Sequence, residues 1–180
     1  INNSDIFSGD KGNGYFMGRP RPFVLRDGMN NLYAPIRNDV LLYFKENKIS
    51  WWGGDNPSGH SLSSQIACLN HLFAIMNDHD AVLAILNGVR DEFEKVLPIS
   101  CDANSEYIGF EVVSKNDHLN ENTSIRGSNC TSVDAFIYAE HKGDGKLWLI
   151  PIEWKYTEHY ANLDKSKEDR HDEEKGSNGK

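Results

Sequence analysis

The chain has 180 residues, a net charge of −8 and a hydrophobic share of 38%. That is enough for one domain with a real core. No stretch approaches the ~18 apolar residues of a membrane span, and the acidic balance argues against a strong non-specific hold on a polyanion.

The opening segment carries Lys11, Arg19, Arg21, Arg26 and Arg37 interleaved with Tyr15, Phe16, Phe23 and Tyr33. It reads as an irregular extension packing on the core, in preference to a DNA-contacting arm. Arg19-Pro20-Arg21-Pro22 is extended, because proline drives the residue before it out of the helical region. Asn38 to Glu46 reads as a short helix. Trp51-Trp52 begins a loop rich in Gly and Pro that runs to Gly59. The pair is read as a core plug rather than a base-stacking platform. Gly12-Asn13-Gly14 lacks the strand-turn-helix setting of a phosphate loop.

Apolar residues at Leu62, Ile66, Leu69, Leu72, Phe73 and Met76 follow the helical period, with Ser61 as the expected N-cap. A second helix is expected over Ala81 to Val96, interrupted at Gly88 and stopped by Pro98. Tyr107 to Val113 is rich in β-formers. Two further strands, Thr131 to Ala139 and Leu147 to Tyr156, flank the turn Lys142-Gly143-Asp144-Gly145-Lys146. From Asp164 the charges have almost no apolar face, so this end is a solvated helix or disordered. The expected division is an N-terminal extension over 1–59, a core over 60–160 and a charged tail over 161–180.

Cys68 falls in the first core helix and reads as a buried thiol. Cys101 and Cys130 make no metal spacing with it, and the scattered histidines form no zinc pattern. An odd cysteine count without a signal-peptide pattern sets the expectation of a reducing cytoplasm.

The chemistry concentrates in the last two strands. Thr131-Ser132-Val133-Asp134-Ala135-Phe136-Ile137 and Pro151-Ile152-Glu153-Trp154-Lys155 carry acids where strands normally hold packing residues. Side chains alternate along a strand, so Glu153 and Lys155 share one face and Trp154 points the other way with Ile150 and Ile152. With the turn centred near Asp144, Asp134 is expected across from Trp154, with Glu153 and Lys155 as diagonal neighbours within roughly 5 to 8 Å. One or two carboxylates suffice for Mg²⁺, which keeps several waters and takes phosphate oxygens as further ligands. The Trp154 carbonyl offers another oxygen, and Lys155 can stabilise charge on a reacting phosphate. Glu111, inside the first core strand, is a further candidate ligand. The bland alternative is an exposed hairpin with an ordinary Glu–Lys pair.

At Asp134 and Glu153-Trp154-Lys155 the chain resembles the PD-(D/E)XK nuclease superfamily, whose signature is an Asp on one core strand and Glu (or Asp)-x-Lys on the next. The proline that often precedes the Asp is replaced by Val133. The resemblance spans roughly residues 60 to 160. It implies an α/β (mixed α+β) restriction-endonuclease-like core, with a central mixed sheet flanked by helices. It also implies a DNA endonuclease of restriction or defence type, dependent on Mg²⁺ with Mn²⁺ as substitute. Asp134, Glu153 and Lys155 would be its catalytic residues, and a homodimer is the expectation by analogy. The first core helix of that superfamily often turns a polar residue toward the metal, which nominates Gln65. Ser132, on the face of Asp134, is placed to touch the phosphate backbone. Two other readings stand beside this one: a catalytically silent nuclease-fold subunit that binds nucleic acid or protein, and an unrelated α+β binding module. A sheet with Asp134 and Glu153 on opposite faces would exclude both nuclease readings.

Overall fold

The structure is a computed structural model that describes residues 7–16, 18–52, 54–99, 105–113 and 132–155. The charged tail, Cys101, Cys130 and the outer ends of two expected strands, Thr131 and Tyr156, lie outside the described residues. The elements are β1 (Gly14–Phe16), β2 (Arg19–Arg21), α1 (Arg37–Glu46), α2 (Ser64–Leu72), α3 (His79–Val89), β3 (Phe93–Leu97), β4 (Ile108–Val112), β5 (Val133–His141) and β6 (Leu147–Ile152). The class is mixed α+β, as expected. No helix among the described residues is long and apolar enough to cross a membrane.

The small antiparallel pair β1–β2 precedes the core. In α1, Val40, Tyr43 and Phe44 are buried, while Asp39 in the first turn and Lys45 in the last complement the helix dipole. Helix α2 is buried from Gln65 to Leu69 and again at Leu72, so most of its circumference meets protein. Its N-cap is Ser63, whose Oγ accepts the Ile66 N–H, not Ser61. The Ser61 hydroxyl instead donates to the Phe23 carbonyl at 2.7 Å. Helix α2 gives way after Leu72 to a tighter 3₁₀ turn over Phe73–Ile75.

The second expected helix is two elements. Helix α3, capped by Asp78, ends at Val89, and Phe93–Leu97 is the strand β3. Asn87 makes the change of direction. Its side-chain amide donates to the Phe93 carbonyl at 2.9 Å, and its oxygen accepts the Phe93 N–H at 3.0 Å. An irregularity between Phe93 and Lys95 lets both Phe93 and Val96 face the core with Glu94 and Lys95 exposed between them.

Strand β5 is the centre of the main sheet. Strand β6 pairs along one side of it, while β3 and β4 share the other side, β3 beside Tyr138–His141 and β4 beside Val133–Ile137. Every described pairing in this sheet is antiparallel, where a mixed sheet was expected. For β5–β6 the cause is the tight turn, since a parallel pair needs a long crossover. The turn is closed by the His141 N–H donating to the Lys146 carbonyl at 2.9 Å and by the Gly145 N–H donating to His141. Gly145 has φ +65°, a conformation that favours glycine.

Ala135, Ile137 and Ala139 line the core face of β5. They join one cluster with Ile108 and Phe110 of β4, Ile66, Leu69 and Leu72 of α2, and Val40 and Phe44 of α1. Leu32, Ile36, Ile49 and Trp51 belong to the same cluster. Trp51 is the core plug, stacked on Phe44 with ring centroids 3.9 Å apart. Trp52 is not a plug: it is 48% exposed, on the turn that the Gly54 N–H closes by donating to the Trp51 carbonyl at 3.3 Å.

Candidate active site

The register of the β5–β6 hairpin differs from expectation by one residue. Ala135 pairs with Ile152. Continuing by one step, Asp134 stands level with Glu153, not with Trp154. The two carboxylates therefore belong to the same face by strand alternation. On the other side of β5, Phe110 pairs with Ala135 and Val112 with Val133, so Glu111 falls at the level of Asp134. Glu111, Asp134 and Glu153 thus stand at one level across three strands, at the open end of the hairpin.

Trp154 fixes Asp134 through its backbone. Its N–H donates to Asp134 Oδ2 at 2.7 Å. The Trp154 ring packs on the core and lies against the His71 ring of α2, 4.9 Å between centroids. Glu153 and Lys155 share a face, as alternation requires, and form an ion pair of 2.8 Å with both side chains half-exposed.

Glu111 is held differently. It is only 5% exposed, and its φ of +50° lies in the left-handed region. For a residue with a long side chain that conformation costs on the order of 1–3 kcal/mol, and it interrupts the ladder between the Phe110 and Val112 pairs. The carboxylate is then caught by two donors: Gln65 Nε2 at 2.9 Å on Oε1, and the Ser132 hydroxyl at 2.6 Å on Oε2. Gln65 is buried, and its own oxygen accepts the Trp52 N–H at 3.0 Å. Gln65 and Ser132, both picked from the sequence, are therefore brought to the site through Glu111. Lys142 and Lys146 of the turn lie elsewhere. They pair with Asp91 and Asp144 at the turn end of β5, roughly 25 Å along the strand from Asp134.

The electrostatics follow from this crowding. The Asp134 carboxyl is raised to about 6: burial pushes it up most, the Trp154 N–H pulls it down, Glu153 and Glu111 push it up, and Lys155 pulls it down. Cys68 on α2 feels the same field: burial first, then Asp134, Glu111 and Glu153, hold it as a neutral thiol.

Among the described residues, no group of three or more His, Cys, Asp and Glu side chains is gathered closely enough to hold a metal ion. The donors at this end of the sheet are nevertheless all oxygens, the set that hard cations take. Burial is the largest cause that raises Asp134; the charges of Glu153 and Glu111 add to it, and a cation would offset that added charge. Both Glu111 oxygens are engaged, although each carboxylate oxygen has a second lone pair. Two features had no signal in the sequence: the left-handed backbone at Glu111 and the placement of Cys68 beside the acids.

A mixed α+β fold that brings three carboxylates and a lysine to one end of a sheet is suited to phosphate chemistry. The chain belongs to the family described as restriction endonuclease associating with ARP, whose family model matches residues 2–178. That description is of a nuclease-related family. No match was found among curated proteins or among solved structures.

Proposed function

We propose that this protein is a metal-dependent phosphodiester hydrolase, a DNA endonuclease of restriction or defence type in the manner of the PD-(D/E)XK nucleases. The observation that carries the reading is Asp134, a half-buried carboxyl raised to about 6 among Glu153 and Glu111, with Lys155 paired to Glu153 beside it. Asp134 and Glu153 would hold Mg²⁺ or Mn²⁺, with the Trp154 carbonyl as a third oxygen. Bound there, the cation supplies a Lewis acid for the phosphate and a more acidic water.

The chain's own groups prepare the site. The Trp154 N–H sets the rotamer of Asp134. Glu153 keeps the Lys155 ammonium at the mouth, where it stabilises negative charge developing on the phosphate. Gln65 and Ser132 lock Glu111, which acts by its charge and its position. Below about pH 6 Asp134 is protonated and a poor ligand.

The test is cleavage of supercoiled plasmid with Mg²⁺ or Mn²⁺ against EDTA, for the wild type, Asp134→Ala and Lys155→Ala. Metal-dependent nicking or linearisation, reduced at least ~100-fold in both variants, is the expected result. Folded protein that binds Mn²⁺ yet cuts neither DNA nor RNA would transfer the chain to the catalytically silent binding role. Linearisation in one encounter would call for two copies of the chain, one per strand.

A further inference from the structure

The N-terminal third of the chain holds a cleft joined to the acidic cluster through Gln65. The cleft, of about 850 Å³, opens between the β1 segment, Trp52 and the run from Gly54 to His60. Phe16, Trp52 and His60 line it, and Phe23 packs behind His60. His60 is edge-on to Phe16, Phe23 and Trp52, with centroids 4.8, 5.2 and 5.9 Å away. Trp52 and Phe16 are tilted toward each other at 5.9 Å. Trp52 is 48% exposed and Phe23 37%, so aromatic surface faces water here.

The cleft wall is built rather than incidental. A Cβ on Gly14, Gly28 or Gly59 would fall 2.2, 1.8 or 2.4 Å from a backbone carbonyl oxygen of the neighbouring segment. The Leu25 N–H donates to the Gly59 carbonyl at 2.7 Å, and the buried Asn31 amide donates to the Ser58 and His60 carbonyls at 2.8 and 2.9 Å. His60 Nδ1 accepts the Leu62 N–H, so Nε2 carries the ring hydrogen, and burial keeps the imidazole neutral. Arg26, exposed on the same wall, is anchored by its Nε on the Gly12 carbonyl at 3.1 Å.

We infer that this cleft takes an unpaired nucleobase of the substrate strand, stacked on Trp52 beside Phe16 and His60, with Arg26 on the adjoining phosphate. The Trp52 and Phe16 faces suit any base, because every base has a π-face, and the polar groups of Asn13, Asn56 and Ser58 on the same wall can meet a base edge. The position suits the substrate too. The Trp52 N–H donates to Gln65, and Gln65 donates to Glu111, so a single side chain separates the cleft from the acidic cluster. The inference deepens the hydrolase reading, on which it rests for its ligand.

The experiment is fluorescence anisotropy with a short 5′-labelled oligo-deoxythymidine and an abasic strand of equal length. Both are measured in Ca²⁺ and in EDTA, for the wild type, Trp52→Ala and Trp52→Phe. Expected is a loss of about tenfold in affinity for the oligo-deoxythymidine in Trp52→Ala, recovery in Trp52→Phe, and weak binding of the abasic strand that neither variant changes. Equal affinities for wild type and Trp52→Ala, an equal loss on the abasic strand, or no binding under either condition would overturn it. The readout is binding alone. An absence of cleavage, which defeats the hydrolase reading, leaves a positive result here standing.

Discussion

Gln65 on α2 donates a hydrogen bond of 2.9 Å to the buried carboxylate of Glu111 on β4, 46 residues away. The same amide group accepts the Trp52 N–H. One uncharged side chain thus satisfies a buried acid and a half-buried backbone amide. Leucine in its place keeps the volume and removes both partners. A buried group left unsatisfied costs about 1–3 kcal/mol, and in a chain of this size each kcal/mol moves the melting temperature by about 2–4 °C. Gln65→Leu is therefore expected to melt at least ~4 °C lower, with an unchanged far-UV spectrum. A melting curve that superimposes on the wild type would mean that water replaces the amide at no cost.

Asp134 makes the stability of the metal-free protein depend on pH, and the sign is the reverse of a salt-bridged acid. Its folded-state value is raised from 3.8 to about 6. The folded state keeps a proton that the unfolded chain gives up. The stabilisation from that proton is full below the unfolded value and is lost as pH rises through about 6. Asp134→Asn keeps an oxygen for the Trp154 N–H and removes the charge. The variant is expected to be more stable than the wild type at pH 7.5, and the gap should close toward pH 4. Mn²⁺ should raise the wild-type melting temperature by several degrees at pH 7.5 and by much less at pH 5, through preferential binding to the folded state. It should not move Asp134→Asn. Differential scanning fluorimetry over this range decides it, and an equal Mn²⁺ effect in both proteins would remove Asp134 from the metal site.

What the sequence made legible divides along a physical line. Strands β4, β5 and β6 were readable from runs of β-formers, and the hairpin from Lys142-Gly143-Asp144-Gly145-Lys146, because these signals are local. The common face of Glu153 and Lys155 followed from the strand period alone, whereas the pairing of Asp134 with Glu153 depended on the register. The exact register was not legible, since a five-residue turn can be centred on either of two positions, and it came out one residue away. Strand β3 was hidden inside a helical run. The break at Val89 depends on Asn87 bonding to Phe93, a contact that composition does not announce. Ser61, Ser63 and Ser64 are equivalent as cap residues until the chain path chooses Ser63. The left-handed φ of Glu111 is imposed by partners on α2 and at the start of β5, distant in sequence.

Glu111 separates the roles of charge and ligation. Its backbone is strained, its oxygens are occupied by Gln65 and Ser132, and its charge is one of the causes that raise Asp134. Glu111→Gln preserves the size and leaves an oxygen for the Gln65 amide, while the Ser132 hydroxyl can turn to accept from the new amide. Removing the negative charge lets Asp134 ionise at lower pH. The acidic limb of the cleavage rate against pH is thus expected to move to lower pH, with a loss of less than about tenfold on the alkaline plateau, well short of the ~100-fold or greater loss expected when a group bound to the reacting centre is removed. Initial rates on plasmid between pH 5 and 9 would show it. A collapse of the plateau with no movement of the limb would make Glu111 a metal ligand in its own right, alongside Asp134 and Glu153.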